Sequence, residues 1–407
     1  MKKIMGFVIL VAISCMVWAD ISLAQEVHPT LFFSSISEVP GKKYADEDPY
    51  ADWDSYIPWY VEYVHMDYDF SDTGKREWDK AEKCYMFALA YLISGDTRFA
   101  EKAIEGLSHL GESEIDGLNT SDCIDDTAAE AAGRYAICYD WMYNYIQENH
   151  PELDSAIRSR LGEWAHKLYE NYAAESGDVG TVVLRACSLG LIATAMPEYE
   201  SPYADGVSDW LEAATTWLWE GDPYRGRPSI CKYHNYGGLC RGIEDYAGRW
   251  LEDAVMFWLH AYKRNYGDLP EISREIYNII LRTSLPDGRR PNFGTESNEL
   301  REASYSYYLL DIFPSGEAAW HKWFVDTYLG EDYLDKWIGY IFYDKHAVAA
   351  AVPDFTTFIS SDAESAVFRG GWDSESEYLW LKFYSLPMPY NREMKHHDNL
   401  AFEYYAK

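Results

Sequence analysis

The feature that most constrains this chain is a succession of amphipathic helical patterns joined by short polar connections. The stretch 78–93 carries Ala81, Cys84, Tyr85, Ala88 and Leu92 at three- and four-residue steps, which marks one apolar stripe of a helix. Gly95 and Asp96 end that pattern, and 98–107 begins the next. Further helices are expected over 125–147, 152–172, 181–196 and 207–220, then, after a break, over 250–264, 269–285, 299–312, 318–328 and 333–342. Helices in such close order, without strands between them, predict stacked antiparallel hairpins. A superhelical solenoid would show a fixed repeat, and here helix and loop lengths vary. The expected architecture is therefore mainly α, an (α/α) toroid whose central cleft is lined by helix ends and loops.

The flanks read differently. Residues 28–68 are rich in Pro, Asp and Trp and show no long periodicity, so they are expected to drape over the helical domain as an entry segment. Past Pro353 the texture changes to short apolar or alternating runs. Phe358, Ala366 to Phe368 and Tyr378 to Phe383 read as strands, with Leu379, Leu381 and Phe383 on one face and Tyr378, Trp380 and Lys382 on the other. Gly370-Gly371 reads as a turn. A C-terminal antiparallel β-sandwich is expected to begin here and to be incomplete in this chain, since so few strands are not stable alone. The expected organisation is a signal peptide over 1–24, a toroid over 25–350 and the start of the sandwich over 351–407.

At the N-terminus, Lys2 and Lys3 precede an apolar run, and Ser22-Leu23-Ala24 offers a small-x-small cleavage site. That pattern is a secretory signal, so a secreted or periplasmic protein is expected. Its apolar core is short for a membrane span, and no stable span is expected elsewhere. Export would permit disulfides among Cys84, Cys123, Cys138, Cys187, Cys231 and Cys240, although spacing leaves the pairing open. Cys84 and Cys138 lie on apolar helical faces and read as buried thiols, whereas Cys231 and Cys240 flank a Gly-containing loop and invite pairing. No pair has the spacing of a zinc site.

The formal net charge of −32 excludes a nucleic-acid binder, which needs a basic face. Against that background the break in the helical series stands out. Residues 231–246 read CKYHNYGGLCRGIEDY, a polar and titratable stretch too rich in glycine for a regular helix. Between 221 and 250, Arg225, Arg227, Lys232, Arg241 and Arg249 outnumber Asp222, Glu244 and Asp245. A locally positive segment in an acidic chain suits an anionic ligand. A surface loop stapled by its two cysteines would look the same. Aromatic residues make up 16% of the chain, and aromatic platforms suit sugar rings as well as large helical cores.

Several stretches, in order, resemble the heparinase II/III-like polysaccharide lyases. They are His28-Pro29-Thr30-Leu31-Phe32-Phe33, Tyr139-Asp140-Trp141-Met142, Leu285-Pro286-Asp287-Gly288 followed by Phe293-Gly294, Phe368-Arg369-Gly370-Gly371-Trp372-Asp373, and His396-x-Asp398-x-x-x-Phe402. The resemblance implies a toroid followed by a β-sandwich and β-elimination on a uronate-containing polysaccharide. It also implies that Tyr246, just before a long amphipathic helix, is the catalytic tyrosine, with Tyr236 second. This sequence departs from the family's pattern twice. Gly180-Thr181-Val182-Val183 stands where relatives carry an Asn-His pair, and Met394 replaces the first histidine of the HxHxD motif.

The reaction has a physical demand of its own. The C5 proton of a uronate is a poor acid, and the adjacent carboxylate makes it poorer. A site must neutralise that carboxylate, take the proton with a base and protonate the leaving O4. A Tyr among cations, or a His, suits the proton transfers. Candidate catalytic residues are Tyr246, Tyr236 and His234, to which the resemblance adds His396; candidate substrate-binding residues are Asn235, Lys232 and Arg241, to which the resemblance adds Arg185, standing where some relatives place a substrate-binding cation. No cofactor is required, and His396 with Asp398 could contribute to a structural zinc in the sandwich. Two other classes stay open: an inverting glycoside hydrolase using Asp125-Asp126 or Glu244-Asp245, and a relative that binds acidic polysaccharide without cleaving it. Neither a phosphate-binding Gly-rich loop nor an HExxH or GxSxG pattern is present.

Overall fold

The computed structural model describes residues 28, 30–111, 126–174, 179–220, 247–270, 274, 278, 281–288, 308–328, 334–360, 365–383 and 400–405. Its helices are α1 (Pro40–Lys43), α2 (Tyr50–His65), α3 (Glu77–Ser94), α4 (Thr97–Ser108), α5 (Asp126–Asn149), α6 (Pro151–Ala174) and α7 (Val179–Ala195). They continue with α8 (Val207–Glu212), a π-helical turn (Ala213–Trp217), α9 (Leu218–Glu220), α10 (Ala247–Tyr266), α11 (Ser315–Tyr328) and α12 (Lys336–Phe342). The toroid expected from the helical periodicity is the fold of the chain.

Side-chain pairs give the direction of each helix. Trp78 meets Glu130, Cys84 meets Cys138 and Tyr85 meets Trp141, so α3 and α5 rise together. Ser188 on α7 donates to the Ala129 carbonyl, and Gly190 and Thr194 on α7 meet Trp258 and Tyr266 on α10. By contrast Tyr139 bonds Asp154 while Tyr135 lies against Trp164, so α6 runs back antiparallel to α5. Thus α3, α5, α7 and α10 form a parallel inner layer, and α4 and α6 return outside it. The inner layer is tight: a Cβ on Gly190 would sit 2.6 Å from the Trp258 ring.

Helix ends follow ordinary capping chemistry. Gly95 closes α3 in the left-handed region at φ 72°, and Asp96 caps α4 by accepting from the Arg98 amide. The sequence pattern places a helix start at 333, but Asp335 caps the Trp337 and Ile338 amides and α12 begins at Lys336. The entry segment is corrected more strongly. It contains the sixteen-residue α2, whose buried stripe is Tyr50, Trp53, Ile57 and Val61. Aromatic residues on the outer face and Pro58 inside the helix hide that stripe from a periodicity reading.

One end of the inner layer is plugged by the segment around Phe32. Its ring packs on Trp141, Phe257 and Phe342 at 5.1–6.2 Å, and Tyr85 joins from α3. Asp140, fully buried on α5, anchors this segment by accepting from His28 Nδ1, the Thr30 amide and hydroxyl, and the Leu31 amide. Cys84 and Cys138 are buried thiols 3.0 Å apart between α3 and α5, and burial raises the Cys84 pKa well above its ordinary value.

Four strands form one antiparallel sheet in sequence order: β1 (Thr357–Ser360), β2 (Ser365–Arg369), β3 (Tyr378–Phe383) and β4 (Leu400–Tyr405). The buried face of β3 is the one carrying Tyr378 and Trp380, which cluster with Val367 and Leu285. The Tyr378 hydroxyl donates to the Thr283 carbonyl and the Arg369 guanidinium to the Arg282 carbonyl, so polar tips stitch the sheet to the helical layer. Arg369 also lies 3.7 Å over the Trp372 ring, and burial lowers its pKa to about 10.

Two buried histidines make stability depend on pH. His260 donates from Nε2 to the Tyr308 carbonyl and stacks on Phe342, and burial depresses its pKa to about 3. His321 stacks on Phe313 and donates to Asn278 Oδ1, and burial depresses it likewise to about 3. Both bind fewer protons folded than unfolded between roughly pH 3 and 6.5, so their contribution is complete above 6.5 and is lost as pH falls. Each is expected to add a slope of about 1.4 kcal/mol per pH unit in that window. Urea unfolding of a His321→Gln variant from pH 7 to 4 should show one proton less uptake on unfolding. An unchanged slope would remove His321 from this account.

Candidate active site

Because α3, α5, α7 and α10 are parallel, their N-termini share one rim of the inner layer, opposite the Phe32 plug. That arrangement gathers the positive ends of four helix dipoles. The same rim holds an unusual set of buried charges. Glu77 opens α3 and is fully buried, accepting from the Tyr135 hydroxyl at 3.0 Å and the Gly111 amide at 3.3 Å. One turn on, Lys80 is also fully buried, with Nζ 3.6 Å from Glu77 Oε1 and no hydrogen-bond acceptor among the described residues. On α5, Glu130 pairs with Arg134 and accepts from the Trp78 indole at 2.9 Å. The Arg134 guanidinium lies 5.2 Å from the Trp78 ring centroid.

Arg185 completes the set from α7. It is buried at 1% exposure and shares a helix face, three residues apart, with Ser188, which bonds α5. Of the site residues expected from sequence, Arg185 is the one inside the described residues. Tyr246, Tyr236, His234, Asn235, Lys232, Arg241, His396 and Asp398 lie outside them, as do Cys231 and Cys240. Tyr246 is the residue immediately before α10 in the chain, and α10 is a rim helix. Among the described residues no group of three or more His, Cys, Asp or Glu side chains could hold a metal.

Glu77, Lys80, Glu130 and Arg134 are absent from the sequence-derived set, although a signal for the first two existed. Residues 77, 80, 84 and 88 follow the same three- and four-residue steps as the apolar stripe of α3, so both charges fall on its core face. A charge at a core position marks either a buried pair or a site. Lys80 and Arg134 are paired with Glu77 and Glu130, so with Arg185 the set carries one net positive charge, to which the helix ends add partial positive charge. Away from the rim, His166 bonds Asp205, which also accepts from the Trp210 indole. That cluster ties α6 to the segment before α8.

No family model and no curated protein matches the chain. Solved structures do match in fold. A heparinase III structure with methylated lysines aligns at a TM-score of 0.51 and 12% identity, covering 87% of this chain and 56% of that one. The heparan sulfate lyase HepC of Pedobacter heparinus aligns at a TM-score of 0.52 and 17% identity, covering 81% of this chain and 47% of that one. The chain therefore spans about half the length of these structures. Among the described residues no helix is long and apolar enough to cross a membrane. The chain has a heparinase-like fold, with Glu77, Lys80, Glu130 and Arg185 buried near the rim where the inner helices begin.

Proposed function

We propose that the chain belongs to an exported lyase that cleaves a uronate-containing polysaccharide by β-elimination. The observation that carries this reading is the rim of a toroid where four helix N-termini meet and Arg185 is buried, in a fold whose solved neighbours are polysaccharide lyases. In this reading Arg185, with Asn235, Lys232 and Arg241 from the stretch before α10, binds and neutralises the uronate. Tyr246 takes the C5 proton or protonates the leaving O4, with Tyr236, His234 and His396 as the remaining proton carriers. A zinc on His396 and Asp398 would be structural and enters no step.

β-Elimination leaves a double bond conjugated to a carboxylate, which absorbs in the ultraviolet. Incubation of the protein with heparan sulfate, heparin, chondroitin, hyaluronan, alginate or ulvan is expected to raise that absorbance on at least one of them. On the active substrate Tyr246→Phe should lower kcat by about a hundredfold or more, the scale of a lost proton-transfer group. Silence on every polysaccharide would sink the lyase reading. New reducing ends without the absorbance would identify a hydrolase instead. Binding without cleavage would fit the absence of the Asn-His pair at 180–183.

A further inference from the structure

Helix α2 carries two stripes. One is the core stripe already described; the other is Tyr56, Trp59, Tyr60 and Tyr63, spaced by the helical repeat, with Tyr56 and Tyr60 half-buried against the core and Trp59 and Tyr63 exposed. Trp59 and Tyr63 are 55% and 78% exposed, yet their rings lie parallel, 5.5 Å apart at 6°. Tyr56 and Tyr60 stack beneath them at 5.6 Å, and Tyr56 meets Trp59 at 5.9 Å. The ladder is braced from α12: Lys336 Nζ sits 4.0 Å over the Tyr56 ring and Trp337 packs edge-on against Tyr60. Lys336 is exposed and makes no ion pair among the described residues. Large rings held parallel in water, with an unpaired cation at their flank, have no role in the core.

From this geometry we infer that the α2 ladder is a surface binding site for a chain of acidic sugars that leads to the rim. The apolar faces of pyranose rings stack on aromatic faces, and the eight-residue ladder is about 10 Å long, enough for a short run of sugars. Lys336 would take a carboxylate or sulfate on the same run. A protein partner fits poorly, because a stable interface needs roughly 800 Å² per side. Here Val64 is the one further exposed large apolar residue on the helix. The ladder also points somewhere. Just past its C-terminal end, the Tyr68 hydroxyl donates to Asp79 on the first turn of α3 at 2.6 Å. The ladder's end therefore adjoins the rim. The inference extends the proposed function by supplying distal subsites for a long substrate.

The test compares long chains and tetrasaccharides of heparan sulfate, chondroitin sulfate and alginate, with binding followed by affinity electrophoresis and calorimetry. Trp59→Ala with Tyr63→Ala is expected to weaken binding of a long chain by about tenfold, the scale of lost aromatic stacking. Binding and turnover of the matching tetrasaccharide should stay at the wild-type level. Lys336→Ala should weaken long-chain binding less and flatten its salt dependence. Thermal melts check that these surface variants remain folded. Wild-type affinity in the double variant, equal losses for long and short ligands, or no binding of any polysaccharide by the parent protein would each overturn the inference. Conversion of a dimer to a monomer by the double variant would assign the ladder to a second copy and overturn it too. Long-chain binding that depends on the ladder, without cleavage, would leave it standing while removing the lyase.

Discussion

Replacing Glu77 by glutamine is expected to destabilise the protein by about 3–5 kcal/mol, the cost of stranding a buried charge. Glu77 and Lys80 are both fully buried, and the carboxylate is the nearest countercharge to an ammonium that has no hydrogen-bond acceptor among the described residues. Glutamine keeps the shape and can still accept from Tyr135, so the loss isolates the charge. Urea unfolding measures it directly. A second variant, Glu77→Gln with Lys80→Met, should recover most of the loss, because replacing both members of a buried pair by neutral groups is often close to neutral. If the single variant loses less than about 1 kcal/mol, Lys80 is neutral or hydrated in the folded state and the rim is less cationic than described. The result also bears on function: if the double variant folds but no longer binds acidic polysaccharide, Lys80 is held buried for the ligand.

Asp140→Ala is the second large effect, again expected at about 3–5 kcal/mol, since one buried carboxylate accepts from four groups. The alanine leaves the Thr30 and Leu31 amides, the Thr30 hydroxyl and His28 without their shared acceptor. The damage should be directional as well as large. Because Phe32 plugs the end of the inner layer opposite the rim, amide exchange should accelerate first over residues 30–33 and near Trp141, before α4 or α6 respond. Uniform acceleration over the whole helical layer would contradict a local anchor. The two pieces meeting here, the His28 to Phe33 segment and Tyr139-Asp140-Trp141, stand more than a hundred residues apart in the chain. Sequence shows them as separate motifs; the fold makes them one contact.

Much of the architecture was legible in the chain. Helix existence followed from apolar periodicity, because a helix that must bury one face writes that face at three- and four-residue steps. The 78–93, 152–172 and 250–264 patterns each shifted by only a few residues at their ends, where capping groups rather than periodicity decide the boundary. Toroid rather than solenoid followed from the missing repeat. The entry segment was misread for an equally physical reason. On α2 a second, aromatic stripe runs from half-buried Tyr56 and Tyr60 to exposed Trp59 and Tyr63, so polarity no longer separates the inner from the outer side. On β3 the aromatic face rather than the leucine face is the more buried, because Tyr378 can spend its hydroxyl on the Thr283 carbonyl while its ring packs.

The candidate site divides the same way. Arg185 could be singled out from sequence, and its burial on a rim helix suits a structural arginine as well as a binding cation, whereas Glu77, Lys80, Glu130 and Arg134 could not be assembled into one place. By itself the sequence determined that the chain forms hairpin-connected helices with an acidic exterior, and that one glycine-rich, locally basic stretch leads into α10. Only the tertiary structure decided that the inner helices run parallel. Parallel packing brings their first turns, and the charges on them, to a single rim although those residues lie about fifty positions apart. Periodicity records how each helix meets its neighbours, but not which end of one helix stands beside which end of the next.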